Sequence, residues 1–211
     1  MLIDPVSLPP RDAYALLISA LVPRPIAFVS TVSGDGVRNV APFSFFGGIS
    51  SNPPMVYISV GSRKEGPKDT ARNILDTGEF VVNMVDEALA ERMNIASAEF
   101  PPDVDEFAVT GLTPVPAERV GAPRVAESPV SMECRLERLV ELGRGPSHVI
   151  FGEVLLFHVR DDLLREGLVD IQSYHPVGRL GGAQYCRVRD VFAMPRPDWT
   201  QILPDRVRQG E

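Results

Sequence analysis

The stretch from residue 23 to residue 73 constrains the fold most, because apolar runs alternate there with short turn sequences. Ile26–Val32 is rich in β-branched and aromatic residues, and Ser33–Gly36 supplies the glycines and the aspartate of a tight turn. Val37–Ile49 returns as a second apolar run, and Met55–Val60 follows as a third. Because tight turns join antiparallel neighbours, this stretch predicts consecutive antiparallel strands.

Three further strands and a long connection are predicted downstream. Glu79–Val85, Ser131–Leu142 and His148–Arg160 have strand-like composition, and the alternation of the second slips near Arg138, which predicts a β-bulge there. Residues 97–129 are rich in proline and acidic residues but carry apolar side chains that need burial. We therefore predict an ordered excursion over the sheet.

Helices are expected to be few and peripheral. Residues 10–21 place Tyr14, Leu17, Ile18 and Leu21 on one helical face. Residues 87–96 are interpreted as another helix, and a short one is expected near Glu106.

One more helix is predicted directly after the third strand. Asp69 or Thr70 is expected to cap it and Gly78 to stop it. Its inward-facing residues are expected to be Ala71, Ile74 and Leu75.

Taken together, these elements predict a mainly β fold with six or seven mostly antiparallel strands, as in a barrel or a sandwich. A Rossmann fold would require regular strand–helix alternation and a glycine-rich first turn, and the sequence has neither. We expect one domain over residues 1–195 and a C-terminal tail over 196–211, in which Trp199 is a candidate contact for a partner subunit.

Composition excludes several function classes. No apolar run approaches the roughly 20 residues that a membrane-spanning helix needs, and the N-terminal sequence predicts no secretory signal. The two cysteines, Cys134 and Cys186, form no disulfide framework, which favours a reducing cytoplasm. A net charge of −7 argues against nucleic acid as the main partner.

Positive charge is concentrated in one short segment. Residues 61–73 carry two more cationic than acidic side chains, although the whole chain has a net charge of −7. The segment joins a strand to a helix, and a helix start offers backbone N–H groups to an anion. A small anion, such as the phosphate of a cofactor, is therefore the predicted ligand; the alternative is a solvated surface loop.

Eight sequence motifs resemble the flavin reductase-like family, which includes flavoredoxins and the flavin-supplying components of two-component monooxygenases. In chain order they are PRPIAFVST (23–31), NVAPFSFF (39–46), PPMVYISV (53–60), KDTARNI (68–74), TGEFVVNMV (77–85), DEF (105–107), ESPVSMEC (127–134) and HVIFGEV (148–154). The resemblance implies an FMN-binding split β-barrel that forms a homodimer. It also implies an NAD(P)H-dependent reduction of flavin, without specifying the electron acceptor.

The same resemblance implies a set of cofactor-binding residues. The wall around the phosphate and ribityl chain is expected from Ser59, Val60, Gly61, Arg63, Lys68, Asp69 and Thr70. The residues expected along the pyrimidine edge of the flavin are Thr31, Asn39, Pro42 and Ser44, and Ala41 on the same returning strand is also expected to bind the cofactor.

Arg179 and His175 complete the predicted site. They lie in a C-terminal segment that the family often folds over the flavin, where they are candidates for contacting a cofactor phosphate or the nicotinamide. For His175 a plain surface role is equally open. The histidines and cysteines have no metal-ligand spacing, and no GxSxG serine hydrolase motif is present.

The sequence thus predicts an FMN-binding oxidoreductase that transfers hydride from NAD(P)H to flavin, with no assigned catalytic acid or base. One alternative is an FMN-binding electron-transfer protein without its own NAD(P)H site. Another is a barrel that has lost flavin and serves as a dimeric binding module. A monooxygenase or an electron-transfer protein is a further candidate partner.

Overall fold

The computed structural model describes residues 1–64, 66–145 and 147–198. Trp199 and the rest of the predicted tail from residue 199 onward lie outside the described residues. The strands in the described part are, in chain order, β1 (Ala27–Val32), β2 (Arg38–Phe43), β3 (Phe46–Ser51), β4 (Pro54–Arg63), β5 (Gly66–Pro67), β6 (Glu79–Met84), β7 (Pro114–Val115), β8 (Arg124–Val125), β9 (Val130–Leu142), β10 (Ser147–Val159), β11 (Leu164–Arg165), β12 (Leu168–Val169), β13 (Val177–Arg179) and β14 (Tyr185–Arg187).

Antiparallel pairing joins seven of these strands into one sheet. Their order is β2-β1-β6-β9-β10-β4-β3, and β5 pairs with the end of β4. The other strands form the two-stranded pairs β7–β8, β11–β12 and β13–β14. The predicted mainly β class with mostly antiparallel strands is confirmed.

Helices are short and lie outside the sheet. They are α1 (Pro10–Ala20), α2 (Asp69–Thr77), α3 (Ala90–Ile95), α4 (Glu106–Thr110) and α5 (Ile171–Tyr174), with 3-10 turns at Pro5–Ser7 and Asp161–Leu163. The helix predicted over 87–96 begins three residues later than expected, because residues 87–89 form a turn. Within the described residues, no helix has an apolar stretch of the length needed to cross a bilayer.

The strands bury apolar side chains on both faces, as β1 illustrates. Val29 belongs to one core cluster with Phe80 and Ile150, whereas its neighbour Phe28 belongs to a second cluster with Phe107. Successive side chains of a strand point to opposite faces, so β1 separates the two clusters. The bulge predicted near Arg138 is confirmed, since the β9–β10 register shifts at this position.

Helix α2 covers the first cluster through one face. Ala71 and Ile74 are fully buried, whereas Leu75, which was expected to face inward, remains 49% exposed. Leu75 is turned by about 100° from Ile74 around the helix axis, and this side faces solvent. The helix ends at Gly78 in a left-handed conformation, with φ of 74°, as predicted.

The strand predicted over 37–49 is in fact two strands. β2 ends at Phe43, one residue after Pro42, and β3 begins at Phe46 and pairs with β4 instead of β1. Proline lacks the N–H that a continuing ladder would need, which explains the break. The carbonyl of Phe45, between the two strands, accepts a hydrogen bond from Ser59 N at 2.8 Å.

The 97–129 excursion is ordered, as predicted, and buried polar side chains of the sheet hold it in place. Asn83 Oδ1 accepts from Val125 N at 3.0 Å, and the carboxylate of Glu133 accepts from the backbone N–H groups of Glu118 and Arg119 at 2.8 and 2.6 Å. The side chains of Phe107 and Leu112, which belong to the excursion, are buried.

Candidate functional site

Three adjoining cavities form a groove along one side of the molecule. The α2 cavity, of about 50 Å³, lies at the start of α2. The α1 cavity, of about 300 Å³, lies between α1 and the β13–β14 pair, and the hairpin cavity, of about 710 Å³, lies between that pair and α3. Ser97 lines all three; Pro42 and Phe43 line the first two, and Arg179 and Tyr185 the last two.

The α2 cavity gathers half of the predicted cofactor-binding residues. These residues come from β2, from the end of β4 and from the start of α2: Asn39, Ala41, Pro42, Arg63, Lys68, Asp69 and Thr70. The break after β2, the turn after β4 and the first turn of α2 bring them together. The basic segment thus contributes to a concave surface.

Arg63 lines this cavity and keeps one buried side-chain N–H without a partner among the described residues. Its Nη1 donates to Asp69 Oδ2 at 3.0 Å and its Nη2 to the carbonyl of Phe100 at 3.3 Å. Its Nε is buried and has no hydrogen-bond partner among the described residues. A buried N–H without an acceptor is costly, so an acceptor that reached this atom would stabilise the side chain.

The first turn of α2, which lines this cavity, has no side-chain cap. The N-cap residue is Lys68, and it makes no side-chain capping bond, so the prediction that Asp69 or Thr70 caps the helix is wrong. Asp69 turns instead to Arg63 and to Arg72, whose Nη2 lies 2.5 Å from Asp69 Oδ1. Backbone N–H groups at an uncapped helix start are donors for a phosphate.

Behind the cavity, four polar side chains form a buried network. Asn39 Oδ1 accepts from Thr31 Oγ1 at 3.2 Å and from Thr70 Oγ1 at 2.9 Å. Asn73 Nδ2 donates to Thr31 Oγ1 at 3.0 Å. Thr31 is fully buried and lines none of the three cavities, so its visible role is to hold Asn39 and Asn73.

Glu106 closes this network and lines the cavity. It accepts from Asn39 Nδ2 at 3.0 Å and from Val40 N at 3.3 Å, which fixes the orientation of the Asn39 amide. Burial raises the pKa of the Glu106 carboxyl above its ordinary value, although these hydrogen bonds act in the opposite direction. The Glu106 carboxyl is therefore harder to ionise than an exposed one.

The α1 cavity contains two more predicted residues, Ser44 and Arg179, together with Arg24. Ser44 Oγ accepts from Arg24 Nε at 3.2 Å. Arg24 was not among the predicted site residues, although its position between two prolines in the PRP sequence is a signal that could have singled it out. Ser97 and Tyr185 were likewise missed.

Besides Thr31, four predicted residues line none of the three cavities. Ser59 pairs through its backbone, Val60 is fully buried in the core, and Gly61 is exposed near the end of β4; none lines any of the three cavities. His175 is exposed at the end of α5, beside Gln172 and Arg189. Among the described residues, no group of three or more His, Cys, Asp or Glu side chains is arranged to hold a metal ion.

Sequence comparison relates most of the chain to a known domain. Residues 19–178 match the flavin reductase like domain. An uncharacterized protein of Aquifex aeolicus is 50% identical over 176 residues, which is 82% of this chain and 89% of the relative. An NADH-dependent FAD reductase of Streptomyces globisporus is 35% identical over 130 residues, which is 60% of this chain and 65% of the relative.

Solved structures extend the comparison to the fold. Nitrilotriacetate monooxygenase component B from Bacillus cereus superimposes with a TM-score of 0.90 at 36% identity, covering 92% of this chain and 98% of the other. Flavoredoxin of Desulfovibrio vulgaris gives 0.73 at 30% identity, covering 82% and 91%. A putative flavin reductase with a split barrel domain from Shewanella frigidimarina gives 0.82 at 24% identity, covering 92% and 96%, and the split-barrel prediction is confirmed.

Proposed function

Because the chain belongs to the flavin reductase-like family, we propose that it binds FMN in its groove and transfers hydride from NAD(P)H to the flavin. The observation that supports FMN most directly is the buried Nε of Arg63, which has no acceptor among the described residues. Lys68 and the open start of α2 lie in the same cavity.

In this proposal the α2 cavity holds the phosphate. Lys68 and Arg63 supply positive charge, the first turn of α2 supplies backbone N–H groups, and the helix dipole adds about 0.3–1 kcal/mol. A cavity of about 50 Å³ suits a terminal phosphate better than the diphosphate and adenosine of FAD. This is the reason for preferring FMN.

The flavin ring is assigned to the adjoining α1 cavity, where Pro42 and Ser44 form part of the wall. Bound flavin supplies the chemistry, because its ring accepts a hydride. The protein's part is to fix the ring, to admit a nicotinamide against one face and to exclude water from the contact. Arg179, which also faces the larger hairpin cavity, is suited to meet the nicotinamide dinucleotide. We assign no general acid or base.

The electron-transfer alternative follows from the similarity to flavoredoxin. Anaerobic addition of NADH or NADPH to the FMN-loaded protein separates the two functions. The hydride-transfer proposal predicts bleaching of the flavin absorbance band within seconds by at least one nucleotide. Stable FMN binding without bleaching by NADH or NADPH would favour the electron-transfer function. A protein that binds no FMN would contradict both functions.

A homodimer is also part of the proposal. Leu17 on α1 and Leu21, the residue that follows the helix, are 49% and 48% exposed, and Tyr14 is 55% exposed. An apolar helix face of this kind is suited to pack against a second copy. Light scattering at micromolar concentration should give twice the chain mass, and Leu17→Asp should give a monomer; a monomeric native protein would contradict the dimer.

The location of the protein and the recipient of its reduced flavin are also part of the proposal. We place the protein in the cytoplasm, where NAD(P)H is available. A monooxygenase is the proposed recipient of the reduced flavin, on the basis of the similarity to a monooxygenase component B.

A further inference from the structure

The α1 cavity is lined by two arginines and, among the described residues, by no carboxylate. Arg24 and Arg179 are its charged residues, and Ile26, Phe43 and Met93 are among its apolar ones. The chain as a whole has a net charge of −7. A cavity with the opposite sign on an acidic protein indicates an anionic occupant.

The two arginines are held opposite each other by the backbone. Arg24 N donates to Arg179 O at 2.9 Å, and Arg179 N donates to Arg24 O at 2.9 Å, which forms an isolated antiparallel bridge. Residues paired in this way have Cα atoms about 5.5 Å apart and side chains on the same face. Like charges directly opposite each other destabilise a pair, so this arrangement favours an anion that offsets the repulsion.

Neither arginine has a carboxylate partner within residues 1–64, 66–145 and 147–198. The Arg24 guanidinium, in a residue only 7% exposed, donates to neutral acceptors: the carbonyls of Ile18, Leu21 and Leu180 and the hydroxyl of Ser44. Arg179 donates to the carbonyl of Gly182 at 2.6 Å and lies 4.5 Å from the ring centroid of Tyr185. These contacts fix both side chains without a counter-charge, which is unusual for the buried Arg24 because buried charges are usually paired.

We propose that Arg24 and Arg179 are positioning residues whose joint charge favours the reduced, anionic form of the flavin ring over the oxidised, neutral form; this rests on the proposed function. Hydride transfer gives the ring two electrons and one proton, and NAD(P)H leaves as NAD(P)⁺. The reduced ring therefore gains one negative charge, which both guanidinium groups attract. The oxidised ring gains much less from them.

The test compares the affinities of the two redox forms in charge-removing variants. Oxidised FMN is titrated into each protein, and spectroelectrochemistry of the complex gives the ratio of oxidised to reduced dissociation constants. Arg179→Met and Arg24→Met should each lower this ratio about tenfold, which for a two-electron couple corresponds to about 30 mV. Arg179→Lys, which keeps the charge, should retain most of the native ratio.

Arg135→Met is the matched control, because it removes an exposed arginine paired with Glu153 that lines none of the three cavities. It should leave the ratio unchanged. The midpoint potential of the native complex should also change with pH about half as steeply as that of free neutral reduced flavin, since only one proton accompanies two electrons. Each methionine variant should recover a steeper slope at the acidic end.

The outcomes separate this inference from the proposed function. A native protein that binds no FMN contradicts both. A native protein that binds FMN, with variants whose ratio stays native or whose two affinities weaken equally, overturns the inference alone, because a purely structural role changes both redox forms together. If Arg24→Met does not fold, the pair Arg179→Met and Arg179→Lys decides the question.

Discussion

Ser30 and Thr31 are neighbours in β1, yet their side chains enter two polar networks of different character. Ser30 joins Asn83, whose Nδ2 donates to Ser30 Oγ and Phe28 O at 3.0 Å each, and whose Oδ1 accepts from Val125 N and Ser131 Oγ. All four hydrogen-bonding positions of the Asn83 amide are thus used, and the excursion is held to the sheet.

The Thr31 network and the polar groups next to it are incompletely paired. The Oδ1 of Asn73 and the Nε of Arg63 are buried without partners among the described residues, and the α2 helix start has no side-chain cap. Natural proteins satisfy nearly all buried polar groups, and the exceptions call for an explanation such as a ligand. One face of β1 is thus fully hydrogen-bonded and stabilises the fold, whereas polar groups near the other face lack partners among the described residues.

The largest expected effect is a loss of stability on removing Asn83 from the fully hydrogen-bonded network. Asn83→Ala removes four hydrogen bonds and leaves buried partners unpaired, so it should lower the free energy of unfolding by about 3 kcal/mol. Urea denaturation measures this loss, and Asn94→Ala on the surface of α3 should cost less than about 1 kcal/mol. An Asn83 variant as stable as the native protein would remove the distinction between the two networks.

Glu133, which also holds the excursion to the sheet, predicts a pH dependence of stability. Its burial by itself raises the carboxyl pKa, but hydrogen bonds from Glu118 N, His158 and Arg119 N outweigh it and the pKa is lowered. A lowered folded pKa gives stability that is present above the ordinary value of 4.5 and is lost as pH falls through the folded value. Glu133→Gln should therefore lower the free energy of unfolding by about 2 kcal/mol near neutral pH.

The difference between native protein and Glu133→Gln should shrink as the pH drops below about 4.5. Urea titrations at a series of pH values measure it. A difference that stays constant, or grows on acidification, would show that the ionised carboxylate does not provide the stabilisation.

Lys68 tests whether the α2 cavity binds the phosphate of FMN. Lys68→Ala removes a charge from the α2 cavity and should weaken FMN binding by about 1.5–2 kcal/mol while leaving unfolding almost unchanged. Lys64→Ala is the matched control, because Lys64 lies in the same basic segment but does not line the cavity. Equal losses of affinity in both variants would indicate a general charge effect instead of a defined phosphate site.

Thr31 gives the smallest predicted change. Thr31→Val keeps the side-chain shape and removes its hydrogen bonds to Asn39 and Asn73, so unfolding should become easier by about 1 kcal/mol. FMN affinity should change less than threefold, because Thr31 lies behind Asn39 and not in the groove. A large loss of affinity with native stability would instead favour the direct contact that the sequence resemblance implies.

The sequence was sufficient where local patterns determine structure. Alternating apolar residues located the strands, the slip near Arg138 located the bulge, and Gly78 located the end of α2. Arg63, Lys68 and Thr70 were also predicted together, because a strand end and a helix start place a short loop in one cavity.

The remainder depends on contacts that the sequence does not display. The carbonyls that accept hydrogen bonds from Arg24 include that of Leu180, which is 156 residues away in the sequence. The α1 cavity, which Arg24 and Arg179 line, was therefore not predicted. Leu75 was misplaced because which side of α2 meets the sheet depends on packing. The remote position of His175 likewise depends on how α5 and its neighbours fold.

The most direct measurement compares FMN with riboflavin, which has the same ring and no phosphate. Calorimetric titration of the native protein should show FMN binding at least about 100-fold more tightly, since charge-assisted hydrogen bonds contribute about 1.5–3 kcal/mol each. In Lys68→Ala the FMN advantage should fall, while riboflavin affinity stays native. Equal affinity of the native protein for the two flavins would contradict the claim that Arg63, Lys68 and the α2 start hold a phosphate.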